Sequence, residues 1–214
     1  MDSVRAIPPR LLALTPGDLD DDRCAPFLGR VSRASEAGLE GVLLREPGLG
    51  DRATLELARA VAERVAWLGL HDRAHLAAAA GARAVHLGFR SLRPLEVRAW
   101  LADEVAIGLS THAADDPATW AGADYLFHGP VFATPSKAGL LEPIGCAGLE
   151  RGVRAARAPV WALGGLRPEH AAAVLATGAR GICARAGILG QRDPAAAVSA
   201  WLAALAAVPE TERP

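Results

Sequence analysis

Short apolar segments recur along the chain, and between them lie longer stretches in which apolar residues return every three or four positions. Segments such as EGVLLR (40–45) and VWALGG (160–165) are typical of parallel strands buried on both faces. The longer stretches have the period of amphipathic helices. The pattern predicts strands at 10–14, 40–45, 65–70, 83–88, 105–110, 124–132, 160–165 and 181–185. It predicts helices at 23–37, 51–63, 73–80, 94–102, 115–121, 145–157, 168–177 and 193–206.

Strict alternation of strands and helices indicates an α/β protein with a parallel sheet. Repeated eight times, it predicts a single (β/α)8 TIM barrel that extends over residues 1–214. An open, doubly wound sheet is the alternative. The first strand-to-helix turn, LTPGDLDDD (14–22), lacks the G-x-G-x-x-G pattern of dinucleotide-binding open sheets, which favours the barrel.

Composition narrows the range of partners. The formal net charge is −1 and no basic tract is present, so we expect neither a nucleic-acid nor a membrane partner. The cysteines Cys24, Cys146 and Cys183 show no CxxC pairing, which argues against a disulfide framework or a zinc site. We therefore expect a cytoplasmic protein without a metal site. The sequence leaves a homo-oligomer possible.

Chemistry in a (β/α)8 barrel belongs at the carboxyl ends of the strands. Two glycines follow the seventh predicted strand, Gly164 and Gly165, and the turn after the eighth begins at Ala184 and Arg185. The loops after these two strands often bind phosphate through backbone N–H groups. We expect such a site here, although the glycines could simply make tight turns and Arg185 could pair with a surface acid.

A second polar cluster lies in the segment HGPVFATPSKAG (128–139). Thr134, Ser136 and Lys137, the only lysine of the chain, follow the sixth predicted strand and could close over an anionic substrate. A solvated surface loop is the alternative. Arg45 ends the second strand and could bind phosphate in a bidentate manner, or form an ion pair with Glu46 or Asp72.

Histidines are the natural proton carriers at neutral pH. Four lie on or near predicted strands: His71, His86, His112 and His128. We expect His86 to be structural because it lies deeper in its strand. His128 precedes the polar loop, which makes it the leading candidate. No cluster has the spacing of a transition-metal site.

The motifs GVLLRE, LHDRAHLAAAAGARAVHLG, IGLSTH, ADYLFHGPVFATPSKAG and WALGGL occur in this order. Together they resemble the thiamine-phosphate synthase/TenI family of small TIM barrels, over about residues 10–206. The resemblance implies one of two activities. Synthases join hydroxymethylpyrimidine pyrophosphate to a thiazole phosphate with Mg²⁺. TenI-type proteins aromatise a thiazole phosphate tautomer by moving a proton, without metal.

The synthase pattern is only half kept. Its Q-x-R-x-K motif appears as Leu43, Arg45 and Pro47, and its N-D-R appears as His71, Asp72 and Arg73. Where synthases place acids ending in a second Mg²⁺ aspartate, this chain has FRS (89–91), which is similar to TenI-type proteins. A single carboxylate makes a poor Mg²⁺–pyrophosphate site. These departures favour the TenI branch.

The resemblance therefore implies a thiazole tautomerase without a cofactor. Arg45, Ser136 and Lys137 would hold the polar groups of the substrate, with Asp72 orienting its neighbours and Ser110 at the end of strand five. The TenI catalytic histidine lies in a G-H-V-F run, where this chain has GPVF (129–132). His128 lies two residues before the position of that histidine and should point to the same side as Pro130. We expect His128 to be the acid/base group, with His112 and His71 as lesser candidates. The alternatives are a Mg²⁺-dependent synthase and a non-catalytic thiazole-phosphate binder.

Overall fold

A computed structural model describes residues 5–134 and 139–208. Eight parallel strands close into a barrel in sequence order, so the TIM-barrel prediction is confirmed and the open sheet is excluded. The strands are β1 (Leu11–Leu14), β2 (Gly41–Leu44), β3 (Trp67–His71), β4 (Ala84–Leu87), β5 (Ala106–Thr111), β6 (Tyr125–His128), β7 (Val160–Leu163) and β8 (Gly181–Ala184).

The helices surround the barrel, and three of those described begin at a capping aspartate or a proline. The helices are α1 (Asp21–Glu36), α2 (Asp51–Ala62), α3 (Ala77–Ala80), α4 (Pro94–Arg98), α5 (Gly145–Ala155), α6 (Ala171–Ala176) and α7 (Pro194–Ala206). The Asp20 carboxylate caps α1, and Asp193 caps α7 directly before Pro194. No helix in the described ranges has the length and apolarity needed to cross a membrane.

Several predicted elements are shorter than expected, among them the helices predicted at 73–80 and 94–102, which are α-helical only over Ala77–Ala80 and Pro94–Arg98. The helix predicted at 115–121 is only a 3₁₀ turn at Pro117–Trp120. Strand β6 ends at His128 rather than at residue 132, because Pro130 has no N–H group for the ladder. The following residues still reach β7, since the N–H of Val131 donates to the Leu163 carbonyl at 2.9 Å and that of Phe132 donates to the Gly164 carbonyl at 3.0 Å.

Side chains alternate along each strand between two cores. One set fills the barrel interior and consists of Leu12, Leu14, Leu43, Trp67, Ala84, Ala106, Tyr125, Phe127, Trp161 and Cys183. The alternate set, which includes Val42, Val85, Leu126 and Ile182, packs outward under the helices. This alternation decides which strand residues can reach the barrel mouth, the open end formed by the carboxyl ends of the strands.

Candidate functional site

The barrel mouth brings together several of the predicted site residues. Trp67 is in the interior core, so His71, four residues further along the same strand, also faces inward and lies at the rim. By the same alternation Ser110 lies at the rim of β5. Arg45 follows β2, and its guanidinium lies against Gly17, where a Cβ would come within 3.1 Å of Nη1. These residues form a polar rim above an apolar interior.

Asp72 follows β3 and is held by two hydrogen bonds and a close contact with His71. Its N–H donates to the His86 carbonyl at 3.0 Å. The Ser91 hydroxyl donates to Oδ1 of Asp72 and accepts from the N–H of Gly88 at 2.6 Å. On the other side, Oδ2 lies 3.3 Å from Nδ1 of His71. The carboxylate is therefore held between the loops that follow β3 and β4.

The backbone of Asp72 is also unusual. Its φ is 63°, the only positive value at a non-glycine residue in the part of the chain that the structure describes. Such left-handed residues cost free energy and often occur at functional sites. Beside Asp72 lies a cavity of about 350 Å³, lined also by His75, Arg90, Ser91 and Trp100. The strained backbone and the neighbouring cavity make Asp72 a strong candidate for a functional residue.

His71 is mostly buried at the rim. Burial lowers its pKa from the ordinary value; the Asp72 carboxylate opposes this shift and the Arg45 guanidinium adds to it. The imidazole is consequently neutral near pH 7 and can accept a proton. Gly88 leaves room beside it, since a Cβ there would approach Nε2 of His71 to 3.2 Å.

A buried polar chain leads from the rim into the barrel. Nε2 of His86 lies 2.9 Å from the Ser110 hydroxyl, and Nδ1 lies 3.3 Å from the Tyr125 hydroxyl. Gly108 on the intervening strand makes this possible, because a Cβ there would lie 2.1 Å from Cζ of Tyr125. His86 is 1% exposed, which agrees with the structural role predicted for it.

The turn after β7 is shaped for an anion. Gly164 and Gly165 have φ values of 101° and 66°, which glycine adopts readily. A Cβ on Gly165 would lie 2.5 Å from the Ala133 carbonyl oxygen, so the glycine allows close approach to the loop after β6. Neither glycine N–H donates to a backbone or side-chain acceptor within the described part of the chain. Two amides thus remain free to bind an anion.

The other residues predicted to contact an anion differ in their positions. Arg185 is half-buried directly after β8, beside the Gly164–Gly165 turn, while the side chain of Ala184 packs outward, so that only its backbone can contribute. Thr134 is half-buried in the loop after β6. Ser136 and Lys137 lie outside the described residues. We call Gly164, Gly165 and the 184–187 turn the phosphate cradle.

Arg45 does not form the ion pair considered as its alternative. Both oxygens of Glu46 accept backbone N–H groups, from Gly17 at 2.9 Å and from Leu19 at 2.8 Å. The described residues place no carboxylate within 4.0 Å of the Arg45 guanidinium. Its charge is therefore available to a ligand at the mouth.

His128 does not reach the mouth, and the expectation that it is the acid/base group is corrected. Tyr125 and Phe127 fill the barrel interior, so His128 points outward beneath α5. Its Nδ1 lies 2.8 Å from the Thr111 hydroxyl, and a Cβ on Gly152 would come within 2.5 Å of its ring. His128 is 3% exposed and belongs to the packing between sheet and helices.

This position predicts a pH-dependent stability. Burial lowers the pKa of His128; His112 adds to this shift and Asp115 opposes it. Below pH 6.5 the unfolded chain binds more protons than the folded chain, so the free energy of unfolding falls as the pH falls. In His128→Gln, the difference in unfolding free energy between about pH 7.5 and about pH 5 should shrink by about 1 kcal/mol. Denaturant titrations measure it, and an unchanged difference would contradict the assignment.

His112, the next predicted candidate, lies in the loop after β5. Its N–H donates to Oδ2 of Asp115 at 2.7 Å, and its Nδ1 lies 3.6 Å from the same oxygen. Since its charge acts on His128 under α5, it lies on that side of the rim. Among the three histidines proposed for proton transfer, His71 has the position and surroundings that best suit the role.

Metal binding can be tested on the carboxylates present. The described residues contain no group of three or more His, Cys, Asp or Glu side chains that could hold a metal ion. Magnesium, however, is commonly bound by one or two carboxylates together with substrate phosphates. Asp72, in the wall of a cavity that Arg90 also lines, fits that mode with the minimum number of protein ligands.

Sequence reasoning missed two residues that shape the site. Ser91 holds the Asp72 carboxylate from the next loop, and Tyr125 reaches His86 across the barrel. Alternation along β6 places Tyr125 and Phe127 on one face, but it does not show that this face is the barrel interior. No local signal pairs Ser91 with Asp72, since the contact joins two different loops.

Comparison with known proteins agrees with this geometry. The model of the family described as "Thiamine monophosphate synthase" matches residues 12–188. A "Putative thiamine-phosphate synthase" from Geobacter sulfurreducens is 37% identical over 185 residues, 84% of this chain and 87% of its own length. A "Thiamine-phosphate synthase" from Moorella thermoacetica is 37% identical over 179 residues, 80% of this chain and 85% of its own.

A solved structure extends the comparison to three dimensions. The thiamine phosphate pyrophosphorylase from Pyrococcus furiosus superposes with a TM-score of 0.77 at 27% identity, covering 92% of this chain and 96% of that one. The family match spans most of the barrel, from β1 to the turn after β8. The chain therefore belongs to the thiamine-phosphate synthase/TenI family.

Proposed function

We propose that this single-domain protein is a thiamine-phosphate synthase, which couples hydroxymethylpyrimidine pyrophosphate with a thiazole phosphate and releases pyrophosphate. The observation that carries the proposal is the 37% identity, over most of the chain, to relatives named for this activity. The alternative weighed from the sequence thus replaces the tautomerase as the leading hypothesis. The position of His128 outside the mouth removes the residue that was expected to be the acid/base group of the tautomerase.

The residues of the mouth have complementary roles in this proposal. The phosphate cradle binds the thiazole phosphate through backbone N–H groups, and Arg45 faces the pyrophosphate. Asp72 would hold Mg²⁺, which when bound neutralises charge on the leaving pyrophosphate. The Ser91 hydroxyl fixes the carboxylate in place. Thr134, Ser136 and Lys137 come after β6 in the sequence and are proposed to cover the bound substrates.

The thiazole tautomerase remains a second candidate, now with His71 as the proton acceptor. Two observations favour it: Asp72 is the one carboxylate among the residues that line the cavity beside it, and burial keeps His71 neutral near pH 7. Aromatisation needs a single well-placed base, which contributes about 10²–10⁴-fold to the rate. Metal-independent turnover would be the signature of this activity.

A turnover assay distinguishes the candidates. Purified protein incubated with hydroxymethylpyrimidine pyrophosphate, the aromatic thiazole phosphate and Mg²⁺ should form thiamine phosphate, and excess EDTA should stop the reaction. A parallel assay supplies the non-aromatic thiazole phosphate tautomer without Mg²⁺. Turnover only in the parallel assay would replace the synthase by the tautomerase. Binding of the thiazole phosphate with turnover in neither assay would favour a non-catalytic binder.

The homo-oligomer and the cytoplasmic location also stay predictions. The surface near α4 exposes Leu92, Leu95 and Trp100, with 57%, 62% and 55% of their surface accessible. Light scattering across a range of protein concentrations measures the mass in solution directly.

A further inference from the structure

The buried chain Tyr125–His86–Ser110 ends at the mouth, and its function is not explained by packing. We infer that Tyr125 and His86 fix the direction of the Ser110 hydroxyl, so that Ser110 donates its hydrogen bond to the bound substrate. The substrate atom opposite Ser110 is then an acceptor, such as an unprotonated ring nitrogen or an anionic oxygen. The inference rests on the proposed function only in assuming that a substrate occupies the mouth.

Tyr125 forms the inner end of this buried chain. Tyr125 is 0% exposed, and Nδ1 of His86 is the acceptor that the described residues place within hydrogen-bond distance of its hydroxyl. Burial raises the pKa of Tyr125 well above its ordinary value, with smaller contributions from Cys183 and Asp124, so the phenol keeps its proton. A buried O–H group that donates no hydrogen bond destabilises the folded state. Tyr125 therefore donates to Nδ1 of His86.

His86 then has one possible tautomer. His86 is 1% exposed and the described residues place no carboxylate within 4.0 Å of its ring nitrogens, so the ring is neutral. A neutral imidazole has one N–H and one acceptor nitrogen. Because Nδ1 accepts from Tyr125, the proton is on Nε2, which donates to the Ser110 oxygen at 2.9 Å.

Ser110 is left with its own proton to donate. Its oxygen accepts from His86, and no second partner for it occurs within the described ranges 5–134 and 139–208. The side chain is half-buried at the end of β5, where its free direction is toward the mouth. A site that holds a donor in place discriminates strongly against ligands that present another donor there. Tyr125 and His86 are thus positioning residues for a substrate contact.

The packing around this buried chain confines the His86 ring. The His86 ring lies 4.2 Å from that of Phe127 and 5.6 Å from that of Tyr125, measured between centroids. A Cβ on Gly108 would lie 2.5 Å from Nδ1 of His86. The imidazole is therefore confined between an aromatic ring and a glycine, with its two nitrogens directed at two hydroxyls.

The tautomer can be measured without any substrate. Long-range ¹H–¹⁵N spectra of the ¹⁵N-histidine-labelled full chain, with His86 assigned from the His86→Asn variant, should show the Nε2–H form. In Tyr125→Phe the ring should change to a mixture of both tautomers. The matched control is Thr111→Val. This variant also removes a buried hydroxyl that is hydrogen-bonded to a histidine, but the histidine is His128 and the contact lies on the outer face of β5. The control should leave the His86 signals unchanged. An Nδ1–H form in the unmodified chain would overturn the inference.

Ligand binding tests the consequence at the mouth. Titration calorimetry measures the affinities for hydroxymethylpyrimidine pyrophosphate and for the thiazole phosphate. Tyr125→Phe should weaken the binding of one of these two compounds by about five- to tenfold. In a Ser110→Ala background, the same substitution should weaken that binding by less than about twofold. Equal weakening in both backgrounds would overturn the link through Ser110. If the unmodified chain binds neither compound, the proposed function fails, and the tautomer measurement alone decides the inference.

Discussion

The Gly165→Ala variant should bind inorganic phosphate at least about tenfold more weakly than the unmodified chain and unfold more easily by about 3 kcal/mol. Gly165 has a φ of 66°, which alanine adopts at a cost of about 1–2 kcal/mol. In addition, the new Cβ would lie 2.5 Å from the Ala133 oxygen and 2.6 Å from the carbonyl carbon of Phe132. Both are backbone atoms, so the loops after β6 and β7 must separate and the cradle must distort.

Gly81→Ala is the matched control for this variant. Gly81 ends α3 with a φ of 65°, nearly that of Gly165, but no atom lies within 4 Å of the position of its Cβ. It should lose only the backbone cost of about 1–2 kcal/mol and keep its phosphate affinity. Calorimetry with phosphate and denaturant titration measure the two quantities. Equal losses in the two variants would show that the contact between the two loops is not needed for the cradle.

The barrel itself was predictable because its signals are local. Each strand is apolar on both faces and each helix has its own period, so alternation alone indicates the fold. The cradle was predictable for a similar reason. Gly164 and Gly165 follow β7 directly, and the carboxyl end of a barrel strand has a known place in space.

The same apolarity explains the error at His128. A strand buried on both faces gives no sign of which parity faces the interior. The interior side of β6 is set by the aromatic packing of Tyr125 and Phe127 with Trp67 and Trp161, residues that come from three different strands. His128 therefore lies on the opposite face, against Gly152, and this placement depends on tertiary contacts.

Side-chain contacts between residues far apart in the sequence were equally unpredictable from the sequence. His86 on β4 reaches Tyr125 on β6 past Gly108 on the strand between them. Ser91 reaches Asp72 over 19 residues of sequence. Neither contact follows from a spacing or a propensity, because the strands must first pair in the sheet before the two side chains can meet.

Asp72→Asn should reduce thiamine phosphate formation by about 10²–10³-fold while the free energy of unfolding changes by less than about 1 kcal/mol. Asparagine has the same size, accepts the hydrogen bond of the Ser91 hydroxyl through its oxygen, and tolerates the φ of 63° found here. Only the negative charge is lost. Steady-state kinetics over a range of Mg²⁺ concentrations should show a higher requirement for Mg²⁺, since one carboxylate supplies the protein's share of the site.

Asp18→Asn is the control for charge alone. Asp18 lies in the loop between β1 and α1, is 66% exposed in its side chain and pairs with Arg23 at 3.4 Å. Its removal lowers the negative charge at the same end of the barrel without touching Asp72, so its kinetics should match those of the unmodified chain. If Asp18→Asn lost as much activity as Asp72→Asn, the effect would come from the overall field at the mouth.

The Asp72→Asn variant also distinguishes the two candidate activities, through its effect on His71. The Asp72 carboxylate raises the pKa of His71 against the larger effect of burial, so its neutralisation lowers that pKa further. For a tautomerase with His71 as the base, the acidic limb of the pH–rate profile should therefore move to lower pH, and the rate should not depend on Mg²⁺. For a synthase the rate should collapse at every pH and recover partly with added Mg²⁺. A variant that keeps the full rate of either reaction, with an unmoved pH profile, would reduce Asp72 to a brace between the loops after β3 and β4.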